Sequence, residues 1–199
     1  EGAGDAIPQS LQEIGYQVTT IAPNEIFANN LKQYDAVVVG IRAYNTVPEL
    51  AFKQSELNAY VENGGTLLLQ YNTSHRMVTK DIAPYPISLS RDRVTDEFSS
   101  VTILAPDHPI LNSPNKITQT DFEGWVQERG LYFPNEWDEN FTPLLGMNDK
   151  DYDESQGALL VASYGKGHYI YTGLSFFREL PAGVPGAYRL FANLLSVGK

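Results

Sequence analysis

The stretch from Tyr34 to His75 leaves this chain little choice of fold. It reads YDAVVVGIRAYN, then a helical run, then ENGGTLLLQYNTSH. Ala36 to Gly40 is short, apolar and β-branched, as a strand buried on both faces must be. Thr66 to Gln70 repeats that character. Between them Leu50, Leu57, Tyr60 and Val61 fall at helical spacing, and Gly64-Gly65 marks the helix end. A strand, a helix and a strand at this spacing make a βαβ unit, so the two strands run parallel. Polar residues follow each strand: Arg42, Tyr44 and Asn45 after the first, Asn72, Thr73, Ser74 and His75 after the second. Ligands in open α/β sheets sit beyond the carboxyl ends of the strands.

The rest of the chain extends this pattern. Gly2 to Asp5, GAGD, reads as a turn into a helix that starts near Pro8, carries Leu11 and Ile14, and stops at Gly15. Val18 to Ile21 reads as a strand and Glu25 to Leu31 as a short helix. Asn72 to Ser99 reads as a long loop punctuated by Pro84 and Pro86. Val101 to Leu104 is an expected strand, and Asp107 to Leu111 a helical turn capped by its aspartate. A strand is expected over Phe141 to Met147. Ala158 to Tyr164 and His168 to Thr172 read as a β-hairpin about Gly165-Lys166. A closing helix runs from Ala187 to Val197. The expected fold is α/β: a flavodoxin-like three-layer sandwich, mostly parallel, with an antiparallel hairpin near its C-terminus. Residues 1–199 fit one domain. A doubly wound sheet calls for a strand ahead of GAGD, so the first strand is expected upstream of Glu1, in a longer chain.

Composition narrows the chemistry. The formal net charge of -10 disfavours nucleic acid and anionic membranes as partners. No apolar run approaches the ~20 residues of a membrane span. The chain has no cysteine, which removes thiol catalysis and thiolate metal sites. His75, His108 and His168 lack ligand spacing, so no metal is expected, and no residue pattern calls for a cofactor.

Several groups are candidates for function. Ser74 beside His75 is the nearest approach to a nucleophile and base, although adjacent side chains diverge and the string is not G-x-S-x-G. His75 also stands where a pocket would form. Gly4 and Asp5 belong either to an anion-binding turn or to a helix cap. Arg42, with Tyr44 and Asn45, offers a cation, a ring and an amide for a carboxylate or sugar; the alternative is an ion pair with Asp5. Asn72 follows the second strand. Arg178 either faces the same cleft or pairs structurally. Trp125, with Tyr132 and Trp137, provides either sugar-stacking faces or core packing.

YDAVVVG, the helix ending in YVENGGTLLL, the hairpin around YGKGHYIYTGL and the last helix together resemble the class I glutamine amidotransferase-like superfamily. The trehalose-utilisation (ThuA-like) branch is similar too. GAGD-IP-L-IGYQVT and GLSFFRELPAGVPGAYRLFANLL resemble, more closely, the domain carried downstream of some bacterial PIG-L/LmbE-type deacetylases. The amidotransferases carry a cysteine nucleophile on the turn matching Tyr71 to Ser74, and this chain has none, so no glutaminase activity is expected. The resemblance implies a non-catalytic accessory domain in carbohydrate or glycoconjugate processing, covalently joined to an upstream catalytic domain. It would bind a small carbohydrate or contact other domains. The alternatives are a ThuA-like hydrolase using His75 with nearby carboxylates, and a structural homodimerisation module.

Overall fold

The computed structural model describes residues 2–199. Its elements in chain order are α1 (Ile7–Glu13), α2 (Ala28–Leu31), β1 (Ala36–Val39), α3 (Ala43–Thr46), α4 (Gln54–Glu62), β2 (Thr66–Gln70), β3 (Ile87–Val94), β4 (Val101–Ile103), β5 (Gly130–Trp137), β6 (Thr142–Pro143), β7 (Leu145–Met147), β8 (Leu159–Tyr164), β9 (Gly167–Thr172), α5 (Phe176–Glu179) and α6 (Pro185–Ser196). Short 3₁₀ turns connect several of them.

The central sheet has the order β1-β2-β9-β8-β6. β1, β2 and β9 run parallel, with Val38 opposite Leu68 and Leu68 opposite Ile170. β8 returns antiparallel to β9 through the Gly165-Lys166 turn, and β6 extends the sheet antiparallel. Gly165 has a φ of +59°, and an added Cβ would strike the backbone of Glu62. Only glycine turns the hairpin there. β3 pairs with β5, and β4 with β7, in two further antiparallel sheets.

The pleat of β2 shows why both faces must be covered. Leu68 enters one core with Ile170, Val161 and the α6 residues Leu190, Phe191 and Leu194. Leu67 and Leu69 point the other way, against Leu57, Tyr60 and Val61 of α4. All three leucines are buried, and each contributes about 1.5–3 kcal/mol. Layers of helix, sheet and helix follow directly, confirming the flavodoxin-like α/β class.

Several local expectations are corrected. Val18 to Ile21 forms no strand; no residue from 17 to 21 makes a backbone hydrogen bond among the described residues. β-rich composition alone does not make a strand without a ladder beside it. The loop expected over 72–99 contains β3, where the alternation of Ile87-Ser88-Leu89-Ser90 gives way to the exposed charged run Arg91-Asp92-Arg93 as the pairing with β5 shifts register. The single helix expected over 25–31 is a 3₁₀ turn, Pro23–Glu25, followed by α2. The expected strand over 141–147 divides at Leu144 into β6 and β7, which join different sheets. The turn at Pro109–Leu111 is capped by the side chain of His108, not Asp107: its Nδ1 accepts from the Ile110 N–H at 3.2 Å.

Candidate functional site

The carboxyl ends of β1, β2 and β9 meet at one end of the sheet, and the chain builds a surface there. After β1, the Arg42 N–H donates to the Tyr71 carbonyl at 2.8 Å, extending the parallel ladder beyond the strand. The chain then turns into α3. Arg42 takes a φ of +55°, a left-handed conformation costly for a residue with a Cβ. Its carbonyl accepts from the Asn45 N–H at 2.9 Å and from Thr46 Oγ1 at 3.1 Å. The guanidinium is exposed, and no ion pair engages it among the described residues. The alternative of an Arg42–Asp5 pair is therefore not realised.

The turn after β2 is braced by amides. Asn72 is fully buried; its Oδ1 accepts from the Tyr44 N–H at 2.8 Å and its Nδ2 donates to the Gln70 carbonyl at 3.0 Å. Asn45 Nδ2 donates to the carbonyls of Thr73 and His75, and Asn45 Oδ1 accepts from the Thr73 N–H. These bonds present His75 at the surface. No hydrogen bond joins Ser74 to His75, so the pair is not assembled as nucleophile and base.

Aromatic rings form the wall. Tyr71 and Tyr132 lie parallel, with centroids 6.1 Å apart and planes at 7°. Phe177 tilts against Tyr71 at 5.2 Å, and His75 lies 6.4 Å from Tyr132. The buried Tyr171 fixes Tyr132 by donating its hydroxyl to the Tyr132 carbonyl at 2.9 Å. Burial raises the Tyr71 phenol above its ordinary pKa, and the charges of Arg42 and Arg178 work against that rise. Both cations thus bear on the same ring. Arg178 sits 4.8 Å over Phe177 and donates to Glu128 Oε1 at 3.0 Å. Arg93 reaches the other oxygen of this buried carboxylate at 2.6 Å.

Arg42, Asn45, Asn72, His75 and Arg178 are thus gathered at this end, each in a different capacity. Tyr44 is corrected: its ring is buried and its hydroxyl bonds Gln54, so it presents no face to a ligand. Asn72 and Asn45 spend their side chains on backbone. Asp5 acts as a tie, with Oδ1 accepting from the Ile7 N–H and Oδ2 from the Ile41 N–H, both at 3.1 Å. Gly4 is exposed at a φ of +81°, and GAGD is thereby a helix entry. Trp125 is corrected as well: it is 3% exposed, donates Nε1–H to the Asp121 carbonyl and packs on Phe122 and Phe176. Trp137 packs against the α4-side core. Of the three proposed stacking rings only Tyr132 reaches the surface site. Tyr71, Phe177 and Glu128 complete it without having been singled out. Tyr71 and Phe177 could have been found from their positions just after β2 and β9; Glu128 carries no local signal.

Two cavities lie elsewhere. One, of about 360 Å³, is floored by Arg129 and rimmed by Glu97, Phe98 and Glu123; the other, of about 320 Å³, lies along Lys80 to Ile87. Arg129 is spoken for, donating to the Ser99 and Phe122 carbonyls. No group of His, Asp or Glu among the described residues could hold a metal ion.

No family model matches the chain, and no curated protein matches it. Solved structures do. The cytoplasmic protein STM3548 from Salmonella typhimurium aligns with a TM-score of 0.63 at 14% identity, over 96% of this chain and 85% of that one. A putative GMP synthase component from Thermoplasma acidophilum aligns with a TM-score of 0.57 at 15% identity, with the same coverage. A β-galactosidase from Bacillus circulans sp. alkalophilus aligns with a TM-score of 0.58 at 15% identity, over 94% of this chain but 25% of its own. At these identities the likeness is one of fold alone.

Proposed function

We propose that this chain is a non-catalytic amidotransferase-like domain that binds a small neutral or singly anionic carbohydrate where β1, β2 and β9 end. It would serve as an accessory domain of a protein that processes carbohydrates or glycoconjugates, such as a PIG-L-type deacetylase. The observation that carries the reading is the exposed Arg42 guanidinium beside the part-exposed rings of Tyr132 and Phe177, backed by the buried Tyr71 and next to a turn with no cysteine. Aromatic faces suit the apolar C–H faces of a sugar ring, and Arg42 suits a carboxylate. His75 adds one hydrogen-bonding group. The site lacks an assembled nucleophile among the described residues, and its polar amides are committed to the backbone. A ThuA-like hydrolase using His75 has less support: the Asp5 carboxylate is committed to the Ile7 and Ile41 N–H groups, and Glu128 is held by two arginines.

A site built on an exposed guanidinium and a few rings should bind weakly, at about -4 to -6 kcal/mol. Calorimetry with N-acetylglucosamine, glucuronate and AMP tests it. The expected result is a sugar bound more tightly than AMP, with glucuronate binding lost in Arg42→Gly. Tighter binding of AMP than of either sugar, or binding indifferent to Arg42→Gly, overturns it.

A further inference from the structure

Arg178 is held in place without being used up. A guanidinium presents several N–H donors in a rigid planar fork. Glu128 takes the Nε donor of Arg178 at 3.0 Å, and no hydrogen bond engages Nη1 or Nη2 among the described residues. Glu128 cannot close on the rest of the fork, because its other carboxylate oxygen is bound by Arg93 at 2.6 Å. An ordinary bidentate ion pair is thereby denied to Arg178, and its Nη edge is left open in a side chain that is 35% exposed.

The position of that open edge is fixed. The Arg178 guanidinium carbon lies 4.8 Å from the centre of the Phe177 ring, a cation–π contact that restrains its plane. Ser175, which precedes α5, donates its hydroxyl to the Glu128 carbonyl at 2.6 Å. The start of α5 and its arginine therefore rest on one residue. Phe177 in turn tilts against Tyr71 at 5.2 Å, and the Arg42 N–H bonds the carbonyl of that same Tyr71. An arginine from the end of β1 and another from beyond β9 thus flank one residue. Both charges act to lower the Tyr71 phenol against its burial.

The local charges do not cancel. One carboxylate, Glu128, serves two guanidiniums. Asp5 is turned to the Ile7 and Ile41 N–H groups, and Arg42 has no ion pair among the described residues. A locus with surplus positive charge thus stands in a chain whose formal net charge is -10. Such a locus gathers anions that the remaining surface repels.

We propose that Arg178 determines specificity at the strand ends, its open Nη edge receiving the carboxylate of a uronic acid while Arg42 supplies the second cation. The two carboxylate oxygens match the paired N–H groups of the fork, an arrangement that a lysine or a neutral sugar does not reproduce. This inference rests on the carbohydrate reading above and narrows it, from neutral or singly anionic sugars to acidic ones.

Calorimetry of the whole chain with glucuronate, glucose and glucose 6-phosphate tests it, on wild type, Arg178→Lys and Arg178→Gln. Arg178→Lys keeps a cation beside Glu128 and guards against loss of the fold. Wild type should bind glucuronate at least about tenfold more tightly than glucose, the scale of a hydrogen bond to a charged group. That preference should shrink in Arg178→Lys and shrink further in Arg178→Gln. Glucuronate, and not glucose, should shift the Arg178 side-chain N–H signals in NMR. Equal affinity for glucose and glucuronate overturns the proposal and leaves the carbohydrate reading standing. A preference for glucuronate that survives both variants also overturns it, and assigns the carboxylate to Arg42 alone. Tighter binding of glucose 6-phosphate than of glucuronate overturns it in favour of a phosphate ester. Binding of no sugar at all overturns both readings.

Discussion

Glu179 offers a direct check on the packing behind the site. It is fully buried in α5. Its Oε2 accepts from the Val126 N–H at 2.9 Å and its Oε1 from Ser175 Oγ at 3.1 Å. Burial pushes its pKa from 4.5 up to about 7; the two hydrogen bonds and the charges of Arg129 and Arg178 act against that rise and lose. Between these values the folded protein keeps a proton that the unfolded chain has released. The folded state then binds more protons, so stability falls as pH rises from about 4.5 to about 7, and is flat above. A rise of this size corresponds to about 3 kcal/mol. Glu179→Gln is neutral throughout and should lack this slope. Urea unfolding followed by the fluorescence of Trp125, which packs against Phe176 of α5, should give similar stabilities for the two proteins at a pH of about 4.5. At a pH of about 8 the variant should be the more stable by up to about 3 kcal/mol. Parallel stability profiles for wild type and variant would refute the reasoning.

Three further outcomes follow from particular side chains. Arg42→Gly should leave stability within about 1 kcal/mol of wild type in chemical unfolding, because relief of the left-handed backbone offsets the entropy that glycine adds. Trp125→Ala should destabilise by about 3–5 kcal/mol while leaving the affinity for glucuronate unchanged, since the ring lies in the core. The purified chain should release no ammonia from glutamine in a coupled assay; turnover that disappears in Ser74→Ala would restore a nucleophile to the turn after β2.

How far the sequence could be read depended on where the information sat. The β1-α4-β2 unit, the hairpin and α6 were legible because each carries its own periodicity and its own glycine punctuation. β3 was hidden because its outer face is charged and its pairing with β5 is interrupted by register shifts. Val18 to Ile21 looked like a strand because propensity is local, while a strand needs a partner. The end of the sheet that gathers Arg42, His75 and Arg178 was legible from position after apolar runs. What each side chain does there was not. Whether Asn72 faces a ligand or the Tyr44 N–H depends on contacts between segments far apart in sequence. The same holds for Trp125, whose indole finds the Asp121 carbonyl, and for Glu128, which meets Arg93 and Arg178 only in the folded chain.

Ligand recognition at the ends of β1, β2 and β9 is tested most directly by residue-resolved NMR titration of the chain with glucuronate. Shift changes should concentrate at Arg42, Tyr71, His75, Tyr132, Phe177 and Arg178, and should be absent from Arg42→Gly. Changes centred instead on Glu97, Phe98, Glu123 and Arg129, at the 360 Å³ recess, would contradict recognition at the strand ends.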